Sequence, residues 1–129
     1  CHRHQIEIIL LAANTMKEFL VTLEDRPGSM AECCEAIGNA GINILGGAGI
    51  GGSVSAAVIV TGDEEGTAAA LDSAGVSFTT RDLRTVVLHD SPGSLGAFMR
   101  SLAENNINLA SIHIMKSDEE GVHIGYSTD

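Results

Sequence analysis

Asp25-Arg26-Pro27-Gly28-Ser29-Met30 recurs 65 residues later as Asp90-Ser91-Pro92-Gly93-Ser94-Leu95. At the same offset, and without a gap, Gly41-Ile42-Asn43-Ile44 falls on Asn106-Ile107-Asn108-Leu109. Between the two motifs Met30, Cys33, Cys34 and Ile37 align with Leu95, Phe98, Met99 and Leu102, the i, i+3, i+4, i+7 spacing of one helix face. Motif, period and spacing are kept together, so the chain reads as two copies of one supersecondary unit.

The flanking residues supply the rest of that unit. Phe19, Val21 and Leu23 alternate with Leu20, Thr22 and Glu24, and Val86-Val87-Leu88 is a β-branched run, so a strand leads into each turn. A helix then opens at the serine. Ser29 with Glu32 fits a capping box, whereas Ser94 with Ala97 predicts a simpler cap. Gly41 and Asn106 end the helices, being the residue types that best tolerate a left-handed C′ position. Ile42 to Leu45 and Ile107 to Met115 read as second strands, and Val54 to Thr61 and Val122 to Tyr126 as returning third strands. In the first copy Asp63 to Ser73 is a helix with acids in its first turn and Gly75 as its stop, and Val76 to Thr80 is a fourth strand.

The expected fold is therefore α+β: tandem ferredoxin-like βαββαβ units over 16–80 and 81–129, the second unit lacking its last helix and strand. The open sheet edge this leaves predicts pairing with another chain or with the leader. Residues 1–15 read as an appended leader, because Met16-Lys17-Glu18-Phe19 looks like a natural start and Ile8 to Ala13 is too short for a secretory core.

Composition narrows the function. The chain has 129 residues, 44% hydrophobic and 19% charged, enough to build a core and too polar for a membrane protein. A formal charge of −10 repels phosphate polyanions and anionic lipid heads, and with one Tyr and no Trp there is no base-stacking platform, so neither nucleic acid nor membrane is an expected partner. Cys1, Cys33 and Cys34 contain no C-x-x-C pair and no disulfide framework, which makes a reducing cytoplasm the default location.

The repeated turn has a chemistry of its own. Backbone N–H groups of Gly28, Ser29 and Met30, and of Gly93, Ser94 and Leu95, precede the first intrahelical bonds, and the helix dipole favours a negative group there. Asp25 and Asp90 could attract an ammonium, and the amides of Asn43 and Asn108 can donate and accept. A carboxylate with an ammonium is an α-amino acid. The plainer reading is that Pro-Gly-Ser is an ordinary helix start, the aspartate caps its own turn and the asparagines bond to backbone. Repetition favours the binding reading.

Taken together, a strand, Asp-x-Pro-Gly-small-apolar, an amphipathic helix ending in Gly or Asn, and Ile-Asn-Ile/Leu, twice over, resemble tandem ACT domains, regulatory modules that sense amino acids. The resemblance covers residues 16 to 129. It implies domains paired side by side through their sheets, with amino acid held between the Pro-Gly turn of one domain and the second strand of another. Carried onto this chain, it places Asp25, Pro27, Gly28, Ser29, Met30, Asn43 and Ile44 at one site and Asp90, Pro92, Gly93, Ser94, Leu95, Asn108 and Leu109 at the other. The incomplete second copy puts in question whether one chain completes both. The expected function is a non-catalytic regulatory protein binding a small amino acid, a homodimer or higher homo-oligomer, acting on a client metabolic enzyme or regulator. The alternative is a structural oligomerisation module of the same fold without ligand.

Other signals are weaker. Gly47, Gly49 and Gly52 form a G-x-G-x-x-G with Asp72 twenty residues on, but Ser53 to Val60 reads as a strand where a dinucleotide site needs a helix, so these glycines are expected in a strand-to-strand connection. His89 stands where the first copy has Glu24, beside the turn. A four-residue hairpin loop would set His113 and His123 on opposite faces, so no metal site is expected. Cys33 and Cys34 read as helix-face thiols without a base, and no catalytic arrangement or cofactor site is legible. Asp63-Glu64-Glu65 and Asp118-Glu119-Glu120 read as solvated faces.

Overall fold

The computed structural model describes residues 16–129, so the reading of 1–15 as a leader lies outside the described residues. Among the described residues six antiparallel strands and three helices follow in the order β1 (Met16–Thr22), α1 (Ser29–Asn39), β2 (Ile44–Ile50), β3 (Ala56–Thr61), α2 (Glu64–Ser73), β4 (Phe78–Leu88), α3 (Ser94–Glu104), β5 (Leu109–Asp118) and β6 (Gly121–Thr128). They divide into two compact units, Lys17–Arg81, and Asp82–Asp129 together with Met16. No helix among the described residues is long and apolar enough to cross a membrane.

In the unit Lys17–Arg81 the strand order is β2-β3-β1-β4. Phe19 pairs with Ile59 and Val21 with Ala57, so one sheet face is apolar, and Cys33 and Ile37 of α1 and Leu71 of α2 pack onto it. Phe19 and Phe78 meet at 5.5 Å between ring centroids. Each large side chain buried here contributes roughly 1.5–3 kcal/mol, which drives the helices onto the sheet. Asp63 caps α2, its Oδ1 accepting from Gly66 N at 2.9 Å.

In the unit Asp82–Asp129 the order is β4-β6-β5, with Val86, Leu88, Ile124 and Tyr126 facing Phe98 and Leu102 of α3. Phe98 meets Tyr126 edge-on at 5.2 Å. All three helices stop in the same hydrogen-bonded turn. Ile42 N donates to Ile37 O, Val76 N to Leu71 O and Ile107 N to Leu102 O, around Gly41, Gly75 and Asn106, all at positive φ.

Four local readings are corrected. The helix caps are glycines, not serines: Gly28 (φ 89°) and Gly93 (φ 91°) hold the N-cap position without a side-chain cap bond. The capping box fails because the Glu32 carboxylate is drawn to Arg26. The glycine-rich segment is mainly strand, β2 extending through Ile50 and pairing Gly47 with Ile59 and Gly49 with Ala57. Side chains are excluded there: a Cβ on Gly47 would strike the Val58 carbonyl and one on Gly49 the Met30 methyl. Val76–Thr80 and Val86–Leu88 are not two strands; Phe78–Leu88 is continuous, because the polar residues between them still alternate in an extended chain.

The fourth correction concerns the β5–β6 hairpin. Its loop is two residues, Asp118 opposing Gly121, and a bulge between Ile114 and Lys116 sets His113 opposite Gly125 and Lys116 opposite His123. Since Gly125 and His123 are two apart on β6, His113 and His123 share the face opposite Ile124 and Tyr126.

Candidate functional site

The first turn opens on a cleft of about 320 Å³ within the unit Lys17–Arg81. Asp25, Arg26, Ser29 and Met30 line one side, and Gly49, Ile50, Gly51 and Ser55 the other. Of the predicted residues, Asp25, Pro27 and Gly28 are exposed and Ser29 and Met30 half-buried. Ser29 N turns back to Arg26 O at 3.4 Å, while the amides of Gly28 and Met30 have no partner among the described residues. They stand at the positive end of α1, where a carboxylate is favoured. The αL backbone at Gly28, open to a residue without a Cβ, turns the chain from β1 into the helix.

Asn43 does not line this cleft. Eleven residues of α1 carry the chain about 16 Å from the turn, so β2 begins at the far end of the helix and returns with Gly49–Gly51. Ile44 instead lines a second cleft, also about 320 Å³, between α1 and β2. Sequence reading missed Gly49, Ile50, Gly51 and Ser55 because their place at the turn follows from the β2–β3 pairing. The signal for it was the density of small residues from Gly46 to Ser55, interrupted by Ile50 and Val54 alone.

Sequence reading also missed an ion cluster at the mouth of the cleft. Arg26 Nε donates to Glu24 Oε2 at 2.9 Å, and its two terminal nitrogens donate to Glu32 at 2.6 and 3.1 Å. The guanidinium holds the Glu32 carboxyl below the usual carboxylate range, first by hydrogen bonding and then by charge. All three side chains are solvent-accessible, so the cluster orders the turn more than it stabilises the fold. The repeat could not have revealed it, since the aligned residues are His89, Ser91 and Ala97.

The second turn is built alike and engaged differently. Asp90, Pro92 and Gly93 are exposed, and Ser94 and Leu95 half-buried. Ser91 and Ser94 hydroxyls bond at 2.9 Å, Ser94 N reaches Ser91 O at 3.3 Å, and the amides of Gly93 and Leu95 have no partner among the described residues. The Asn108 side chain donates to the Asp129 carboxylate, and Asp129 N donates back to Asn108 O at 3.1 Å, just before Leu109 opens β5. One N–H of that amide thus has an intrachain partner.

Two further groups bear on chemistry. Burial, then the neighbouring Cys34, pushes the Cys33 thiol up to about 11, which keeps it protonated and unreactive. At the second hairpin, Asp118, Glu120 and His123 place ligating atoms within 4.8 Å of one another. Asp118 Oδ1 already accepts a hydrogen bond from His123 at 2.9 Å and from Glu120 N at 3.0 Å, and Lys116 Nζ lies 3.5 Å from its other oxygen.

No family model and no curated protein sequence matches this chain. Solved structures do. Protein BT0572 from Bacteroides thetaiotaomicron superposes with a TM-score of 0.76 at 14% identity, over 89% of this chain and 80% of that one. The ligand-free regulatory subunit of aspartate kinase from Thermus thermophilus gives 0.62 at 17% identity, over 89% and 82%. A structure of aspartokinase alpha and beta subunits gives 0.61 at 22%, over 90% and 82%. At these identities the likeness establishes a shared fold.

Proposed function

We propose that this chain, ACT-like in fold, is a non-catalytic regulatory protein of two such units, 16–80 and 81–129, that binds a small amino acid beside the Asp25–Met30 turn. The observation that carries the reading is the pair of unpartnered amides, Gly28 and Met30, at the positive end of α1 and next to the exposed Asp25 carboxylate. The ligand carboxylate takes the amides and its ammonium takes Asp25, two opposite charges met by two opposite fields. Similarity to the regulatory subunit of aspartate kinase supports a regulatory role, exerted on a client enzyme or regulator. Binding shifts the population between packings only by its differential affinity for them.

The test is calorimetry with thermal-shift screening of the twenty amino acids. One or more raises the unfolding temperature, and Gly28→Val abolishes the shift. Asp25→Asn, at an exposed position, weakens it about tenfold. No response from any amino acid refutes the sensor. The pairing module then stands, a reading that the Asn108–Asp129 and Ser91–Ser94 bonds of the second turn already favour for residues 82–129. A size measurement across concentrations tests the homo-oligomer.

A further inference from the structure

The two clefts of the unit Lys17–Arg81 share two residues, Met30 and Gly49. The Met30 methyl lies against the Cα of Gly49 at the point where a Cβ would stand. The Met30 side chain thus reaches from α1 to β2 and forms the wall between a cleft edged by charged residues at the turn and a more uniformly apolar one along the strand. Each is about 320 Å³. The cleft at the turn is lined by Glu24, Asp25, Arg26 and Ser29, and of the two residues with unpartnered amides Met30 lines it and Gly28 stands outside it. The apolar cleft is walled by Cys34, Ile44, Leu45, Val58 and Ile59, and among the residues lining it Cys34 alone is titratable.

From this we infer that the ligand is an α-amino acid with an apolar side chain, and that Met30 is the residue that sets its size. The inference rests on the amino-acid reading of the turn and goes beyond it by naming the side-chain class. With the carboxylate and ammonium held at the turn, the side chain either projects to solvent or passes Met30 into the apolar cleft. Methionine is unbranched, with three rotatable bonds and a polarizable thioether, so it yields to an entering group and repacks against it. A charged side chain in the second cleft would lose its hydration to apolar walls. Acidic ligands are further disfavoured by Glu24 and Asp25, since Arg26, which lines the cleft beside them, is already bonded to Glu24 and Glu32.

The inference is tested by measuring affinities of the unaltered chain for glycine, alanine, valine, leucine, isoleucine, methionine, phenylalanine, serine, aspartate and lysine, and repeating the series with Met30→Ala. The expected result is an aliphatic ligand bound at least about tenfold tighter than glycine, aspartate or lysine, with Met30→Ala moving the preference about tenfold toward phenylalanine. Site-resolved alkylation adds a readout on the unaltered chain, so it decides even where Met30→Ala disturbs the helix: a saturating aliphatic amino acid slows labelling of Cys34, and saturating glycine does not. A lysine, aspartate or serine preference, a rank order unmoved by Met30→Ala, or an unchanged Cys34 rate overturns the inference while the sensor reading stands. Failure of every amino acid to bind removes both.

Discussion

Gly28 and Gly38 lie on the same helix, and alanine at the two positions should act in opposite directions. Gly28 holds φ 89° and ψ −11°, a left-handed conformation in which a Cβ crowds the backbone. Space is not the obstacle, since the nearest atoms to an added Cβ are Glu32 Oε2 at 3.7 Å and Arg26 Nη1 at 3.9 Å, ordinary contact distances. The whole cost of Gly28→Ala is therefore conformational, about 1–2 kcal/mol. Gly38 is in the last turn of α1, at a helical position with nothing within 4 Å of an added Cβ, so Gly38→Ala should stabilise by about 0.4–1 kcal/mol by restricting the unfolded chain. Gly93→Ala, at φ 91° with open space around it, should repeat the Gly28 loss. Urea unfolding reads all three, as midpoints displaced at unchanged slope. Heating reads them too, at about 4–8 °C for each kcal/mol in a domain of this size. A neutral or stabilising Gly28→Ala would refute the argument, because it would mean the turn relaxes out of the left-handed region.

Other outcomes follow from packing and charge. Phe98→Ala, at a fully buried position against Tyr126, should lower stability by about 3–5 kcal/mol, with Phe98→Leu costing much less; equal effects would show that Phe98 is not packed as described. The folded Cys33 thiol is raised from 9.0 to about 11, so its contribution is complete below pH 9 and is lost as pH climbs from 9 to 11, on the order of 2 kcal/mol. Comparing urea midpoints with Cys33→Ala across that window isolates it, and parallel profiles would count against a buried thiol. Asp118 is lowered chiefly by the His123 hydrogen bond, so its contribution is present above its ordinary value of 3.8 and lost as pH falls through the folded one. Carboxyl NMR titration of His123→Ala should show Asp118 returning upward, and an unmoved Asp118 curve would dismiss the pair.

What could be read from residues alone was whatever is governed by neighbours along the chain. The stops at Gly41, Gly75 and Asn106 were legible because a C′ residue closes its own bonds to the preceding turn. The buried faces of α1 and α3 were legible because a helix repeats its geometry every 3.6 residues, placing Cys33 with Ile37 and Phe98 with Leu102. The capping box was misread because Glu32 had a stronger partner in Arg26, a cation close in sequence whose choice between carboxylates depends on the bend of the turn. The hairpin register was misread because a single bulged residue, invisible to alternation, moved His113 to the face of His123.

Local and periodic terms along the chain thus set the existence of the doubled turn, the unpartnered amides at its helix start and the helix that follows, since each depends on residues within one or two turns of one another. The walls of the clefts could come only from tertiary structure. Gly49 meets Met30, and Ser55 lines the same cleft as Asp25, because β2 pairs with β3 after a helix has carried the chain away and back, and pairing between strands is decided by what both bury.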